Sequence, residues 1–262
     1  MTKTKPLNGA AAYIGGKRNL SKKLVGIINE IPHKLYAEPF VGMGGVFFKR
    51  DTPAKNEAIN DFSKDVANFF RVVQKHQDEF IKHLKWYLNS RALFENLAAT
   101  PPEVLTDIER AVRFYYLQKT SFGGKVHGRV FGVDPYRNGG FNIRKFKKHL
   151  EDIHERLQDT MIECLPYAKF IEKYDRKDTL FYLDPPYYGN ENDYGKNLFE
   201  REDFERIATQ LKSIKGRFIL SINDKPEVRE IFKDFSIEPV ELNYSISHKS
   251  GTKAKELIIQ NK

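Results

Sequence analysis

The sequence predicts an α/β fold: an open sheet with helices on both faces and an inserted helical region. Three observations lead there. Short apolar runs alternate with helical patterns along the 262 residues. The apolar runs stop on Gly, Asp or Pro, as strands do at the ligand-binding edge of an open parallel sheet. The stretch from about 62 to 150 holds no convincing sheet strand. With 40% hydrophobic content the chain suffices for one large domain, or a domain with an insert.

The elements follow in order. "RNLSKKLVGIINEI" (18–31) has helical spacing, and "KLYAEPFVG" (34–42) reads as a strand ending at Pro39. The glycines of "EPFVGMGGVF" (38–47) lead into a further helix pattern, and "EAIND" (57–61) is a strand closing on Asp61. "DVANFFRVVQKHQDEFIKHLKWYL" (65–88) and "TDIERAVRFYYLQK" (106–119) are helical and run into a basic loop, "TSFGGKVHGRVFGVDPYRNGGFNIRKF" (120–146). "DTLFYLDPP" (178–186) and "GRFILSIND" (216–224) are strands separated by the helix "REDFERIATQLKSI" (201–214). "IEPVELNYSIS" (237–247) and "KELIIQ" (255–260) are late strands expected to pair antiparallel.

Composition narrows the function. Twenty Phe and thirteen Tyr are too many apolar rings for a disordered chain. A single cysteine, Cys164, allows no internal disulfide and suits a reducing cytosol. The opening "MTKTKPLNGAAAYIGGK" lacks a signal-peptide pattern, and no apolar run is long enough to span a bilayer. The net charge of +9 suggests a polyanionic partner. Residues 111–150 carry most of it, with nine Lys or Arg against one acid, Asp134.

Three strand ends carry candidate chemistry. Gly42, Gly44 and Gly45 let a ligand approach the backbone, and a helix N-terminus behind them would favour an anionic group. The alternative is a tight turn that binds nothing. Asp61 suits ribose hydroxyls, or caps the following helix. "DPPY" is the most specific. An exocyclic amine on a base is a poor nucleophile, because its lone pair is conjugated into the ring. Two acceptors aimed at its hydrogens, the Asp184 carboxylate and the Pro185 carbonyl, can draw it toward tetrahedral geometry. Pro185 and Pro186 fix φ and pre-position those acceptors. Tyr187 can stack on the base, worth about 1–3 kcal/mol. No metal or covalent nucleophile is needed.

With these blocks in this order, the sequence resembles the Dam-type adenine-specific DNA methyltransferases nearly end to end. The blocks are "YIGGKRNL" (13–20), "AEPFVGMGGVFF" (37–48), "AINDFSKDV" (58–66), "LQKTSFGG" (117–124), "GGFNIRKF" (139–146), "FYLDPPY" (181–187), "FILSINDKPEVREIF" (218–232) and "SISHKSGTKAKELIIQN" (245–261). The resemblance implies a Rossmann-like S-adenosylmethionine-dependent methyltransferase sheet. Residues 1–61 and 151–262 would form the catalytic domain, and 62–150 an inserted target-recognition region. It implies methyl transfer from S-adenosylmethionine to N6 of an adenine flipped out of double-stranded DNA, leaving S-adenosylhomocysteine, with no metal. It further implies a cytoplasmic protein of a bacterial or phage-infected cell, not membrane-bound, a monomer or weak dimer, with a restriction endonuclease as a further partner.

The resemblance also implies roles. Tyr13, Gly15, Gly16, Lys17, Phe40, Gly42, Gly44, Gly45, Asp61 and Asp184 would hold the cofactor. Asp184, Pro185, Pro186 and Tyr187 would hold and activate the adenine. Lys119, Phe122, Lys125, Arg129, Arg137, Arg144 and Lys145 would meet DNA, with arginine suited to guanine edges. Phe122 would fill the vacated stack, or else belong to the core. Two departures stand out: Tyr13 replaces the family's usual Trp, and Ala12 replaces the basic residue before it. The recognition loop is longer than in GATC-reading members, so that target does not carry over. N4-cytosine methylation and a non-catalytic DNA-binding relative are the competing readings. Glutamine methylation is disfavoured by Asp184 at a position where Asn is usual.

Overall fold

Why the sheet has two apolar faces is clear from alternation along its strands. In the computed structural model, which describes residues 3–13, 17, 19–132, 141–191, 198–244 and 252–261, the strands are β1 (Leu35–Glu38), β2 (Asn56–Asn60), β3 (Thr160–Glu163), β4 (Thr179–Leu183), β5 (Arg217–Asn223), β6 (Ser236–Tyr244) and β7 (Thr252–Gln260). Leu180 and Tyr182 of β4 face one core, and Phe181 and Leu183 face the other. A sheet buried on both sides must be covered twice. The helices doing so are α1 (Ser21–Glu30), α2 (Lys64–Lys75), α3 (Gln77–Leu84), α4 (Arg91–Ala99), α5 (Asp107–Thr120), α6 (Ile143–Leu157), α7 (Tyr167–Tyr174), α8 (Asp203–Ser213) and α9 (Pro226–Ile231). Helices α1 to α6 contribute to the first core, and α7, α8 and α9 to the second.

The strand order is β3-β2-β1-β4-β5-β7-β6, parallel from β3 to β5, with β7 antiparallel to both neighbours. This is the expected Rossmann-like sheet with helices on both faces, and the late strands pair antiparallel as expected. Pro239 is tolerated in β6 because that strand is an edge. The chain order reverses between β1 and β4, which is where such sheets bind ligands.

Several elements differ from expectation. The glycine block does not open an α-helix. Gly44 takes φ 74° and interrupts α-helical winding, so a single 3-10 turn, Phe47–Lys49, follows and no helix N-terminus faces the turn. The helix expected over 65–88 breaks at His76, at φ −131°. The break lets Phe69 of α2 and Phe80 of α3 both reach Tyr115 of α5, with ring centres 5.5 Å and 5.7 Å away. Strand β3 and helices α4, α7 and α9 were not anticipated. Nor was α6, which begins inside the supposed loop: Asn142 caps it by accepting from Arg144 N at 3.0 Å. Arg113, counted with the basic surface, is buried and donates to Leu97 O at 2.7 Å.

Residues 121–132 fold back as a hairpin. Phe122 N donates to Val130 O and Gly132 N to Thr120 O, each at 2.8 Å. Its base is pinned to the N-terminal segment by Gln118, whose amide donates to Ala12 O and Gly124 O, each at 2.7 Å. A Cβ on Gly124 would lie 2.8 Å from the Ala12 backbone.

Candidate active site

A cavity of about 660 Å³ opens at the carboxyl ends of β1, β2 and β4, within the range of about 300–1,000 Å³ usual for small-ligand sites. The glycine turn forms part of its wall. The N-terminal segment lies across that turn through Leu7 N to Phe48 O at 2.7 Å and Ala10 N to Met43 O at 2.9 Å. That approach requires Gly9, where a Cβ would lie 2.8 Å from Met43 O, while Gly44 makes room for the Phe48 ring, 2.3 Å from where its Cβ would sit.

Three acids end the three strands. Asp61, just past β2, is held by backbone amides: Gly42 N donates to Oδ2 at 3.0 Å and Ser63 N to Oδ1 at 2.9 Å. Burial raises its pKa to about 6 against those two bonds. Asp61 lines the cavity but does not cap α2: the N-cap position is Ser63, whose own side chain makes no capping bond, and Asp61 holds only the turn before it. Glu38, at the end of β1, accepts from Tyr36 Oη at 2.6 Å and is 1% exposed. Burial raises it to about 8, so it stands protonated at neutral pH.

Asp184, just past β4, is held by side chains. Lys17 Nζ lies 2.9 Å from Oδ1, and Ser221 Oγ donates to the same oxygen at 3.5 Å. Burial lifts its pKa to about 6, against the pull of Lys17. Lys17 is itself buried, 3.2 Å from Glu256 Oε2, and donates to Tyr187 Oη at 2.8 Å. Tyr187 Oη in turn donates to Glu256 Oε1 at 2.6 Å. These bonds fix the Tyr187 ring beside the carboxylate.

The structure brings most of the predicted residues together. Tyr13, Lys17, Phe40, Gly42, Gly45 and Asp61 line the cavity, with Asp184 and Pro186. Gly44 lies against Phe48, Pro185 is buried and Tyr187 half-buried. Gly15, Gly16 and Arg137 lie outside the described residues. Phe122 is 67% exposed at the hairpin, which removes the core alternative. Lys125, Arg144 and Lys145 are exposed. Arg129 is half-buried, its guanidinium 5.9 Å from the centre of the Phe114 ring. Lys119, expected to meet DNA, lies in the cavity wall.

The profile of the D12 class N6 adenine-specific DNA methyltransferase family matches residues 13–246. The chain belongs to that family. Among its relatives, the Type II methyltransferase M.CviBI of Paramecium bursaria Chlorella virus NC1A is 26% identical, with 85% of each chain covered. The Type II methyltransferase M1.LlaDCHI of Lactococcus lactis subsp. cremoris is 27% identical, covering 95% of this chain and 93% of the relative. The Type II methyltransferase M.MjaIII of Methanocaldococcus jannaschii is 25% identical, covering 94% and 93%.

Sequence reasoning missed three site residues of this D12 class methyltransferase. Glu38 stood inside the quoted glycine block but was passed over. Ser221 was lost in the apolar run of β5. Glu256 enters from the far end of the chain, because antiparallel β7 brings its first half beside the carboxyl end of β5, pairing Glu256 with Asn223. The available signal was a charged residue next to the apolar run "LII". No helix among the described residues is long and apolar enough to cross a membrane.

Proposed function

We propose that the protein methylates N6 of an adenine extruded from double-stranded DNA, with Asp184 and the Pro185 carbonyl as the two acceptors for the amine. One observation carries this most directly. Asp184 Oδ1 is occupied by Lys17 and Ser221, while Oδ2 has no described partner and the side chain is 22% exposed beside the cavity. A fixed carboxylate with one open oxygen suits an N–H donor brought from outside.

The cavity fits S-adenosylmethionine. The glycine turn admits close backbone approach, Asp61 retains lone pairs for ribose hydroxyls, and Phe40 presents a ring packed on Phe199 at 5.9 Å. When bound, that cofactor supplies an electrophilic methyl group on a sulfonium. The chain's own work is to hold the amine, and to bind and open the duplex. Phe122, exposed at a pinned hairpin, would fill a vacated stack. Arg144 and Lys145 stand in the first turn of α6, where the helix dipole disfavours cations. Their placement there supports contact with phosphates or base edges. A restriction endonuclease is proposed as the partner system, and monomer or weak dimer as the state.

The test is sequencing of DNA from cells expressing the chain, read for N6-methyladenine and N4-methylcytosine, beside an Asp184→Ala strain. One methylated adenine motif that vanishes in the variant is expected. Unmodified DNA from both strains, with soluble protein present, would overturn the proposal.

A further inference from the structure

Lys119 differs from the other lysines of the cavity wall. Lys17 is shared by Asp184 and Glu256, and Lys49 donates to Asn8 Oδ1 at 2.7 Å. Lys119 has no carboxylate partner among the described residues. It lies in the last turn of α5, its Nζ 4.0 Å from the centre of the Phe146 ring and 5.9 Å from that of Tyr115. Burial lowers its pKa, as expected for a cation taken from water without an anion to compensate. His149, also in the wall, contacts Gly9 O at 3.2 Å, and the Lys119 charge helps to hold this imidazole neutral. A desolvated ammonium facing a cavity is costly unless a ligand anion meets it.

We propose that Lys119 receives the α-carboxylate of the bound cofactor. This rests on the reading that the cavity takes S-adenosylmethionine. That molecule has one carboxylate, and its sulfonium and α-ammonium are cations that Lys119 would repel, so the carboxylate is the charged group a lysine at this place can meet. Lys119 is the one lysine of the described wall whose charge is not already paired or hydrogen-bonded. Its position in the wall argues against the DNA contact expected from sequence. Its stacking on Phe146 sets the ammonium's direction while leaving its donors open.

The test pairs ligand and protein changes. S-adenosylhomocysteine and its analogue lacking the carboxylate are titrated calorimetrically into wild type, Lys119→Met and Lys119→Arg. Lys119→Met is expected to weaken S-adenosylhomocysteine by about 10- to 100-fold, the scale of one charge-assisted hydrogen bond. The analogue should bind wild type and Lys119→Met alike, and Lys119→Arg should recover most of the loss. Affinity for a DNA duplex should not change. Equal weakening of both ligands, or of neither, overturns the assignment, as does weakened DNA binding with cofactor affinity intact. Should Lys119→Met fail to fold, wild type decides alone: failure to distinguish the two ligands overturns the proposal. Wild type that binds neither ligand overturns the cofactor reading as well, which separates the two failures.

Discussion

The ends of β2 and β4 each carry an aspartate whose pKa burial lifts to about 6, yet they are held in opposite ways. Asp61 is gripped by two backbone amides, one on each oxygen. Asp184 is gripped by side chains, Lys17 and Ser221, on one oxygen only. Backbone donors cannot be withdrawn without unfolding the turn, so Asp61 is a permanent part of the cavity wall. Side-chain donors leave Asp184 a directional, half-open acceptor. On the proposed reading, the same residue type serves binding at one strand end and chemistry at the other.

The largest test of that contrast is Asp184→Ala. The single-turnover methylation rate should fall by about 10³-fold or more, the scale for losing a pre-positioned charge stabiliser, with cofactor affinity little changed. A rate within about tenfold of wild type would remove Asp184 from the chemical step.

Next comes Glu38, the acid between them on β1. Its folded pKa of about 8 lies above the ordinary 4.5, so the folded state holds the proton more tightly. The resulting stability is complete below about 4.5 and is lost as pH rises through about 8. Glu38→Gln cannot ionise. Urea unfolding should show wild type losing on the order of 1–3 kcal/mol relative to this variant between pH 5 and pH 9. A pH-independent difference would place the ionised form in the native state.

Asp61→Ala comes third. It strands the Gly42 and Ser63 amides and should raise the cofactor Kd by about tenfold, with the rate at saturating cofactor nearly unchanged. A rate loss like that of Asp184→Ala would erase the distinction between the two aspartates.

The same contrast explains what was legible in the sequence. Asp61, the glycine turn and Asp184 were readable because each lies where an apolar run stops, a local pattern. Their neighbours were not. Ser221 and Glu256, and the ion pairs of Lys17, a residue the resemblance named only for the cofactor pocket, meet Asp184 and Tyr187 only through pairing of β5 with β7 and the path of the N-terminal segment, contacts between residues as much as 239 positions apart. Helix α6 was missed because glycines and cations just before it read as loop, while its apolar positions, Leu150, Ile153 and Leu157, lie later. Lys119 was assigned to DNA by the family resemblance. Its side chain is directed by packing on Phe146, which composition does not encode.

The smallest effect concerns Ser221. If Asp184 must be ionised to accept the amine, the single-turnover rate rises with pH through about 6 and is level above pH 7. Ser221 donates to the charged form and so lowers this pKa, though at 3.5 Å the bond is at the limit of hydrogen bonding. Ser221→Ala should therefore move the midpoint upward by roughly a few tenths of a pH unit. Near pH 6 the variant is slower than wild type, and at pH 8 the two are equal. Lys17→Met should move the midpoint in the same direction and further, because its charge is the larger of the two influences favouring the carboxylate. Substitutions around Asp61 should leave the midpoint of the chemical step where it is and shift only cofactor affinity. A midpoint that moves with Asp61 and ignores Ser221 and Lys17 would mean that the ionisation limiting the rate belongs to β2, not β4.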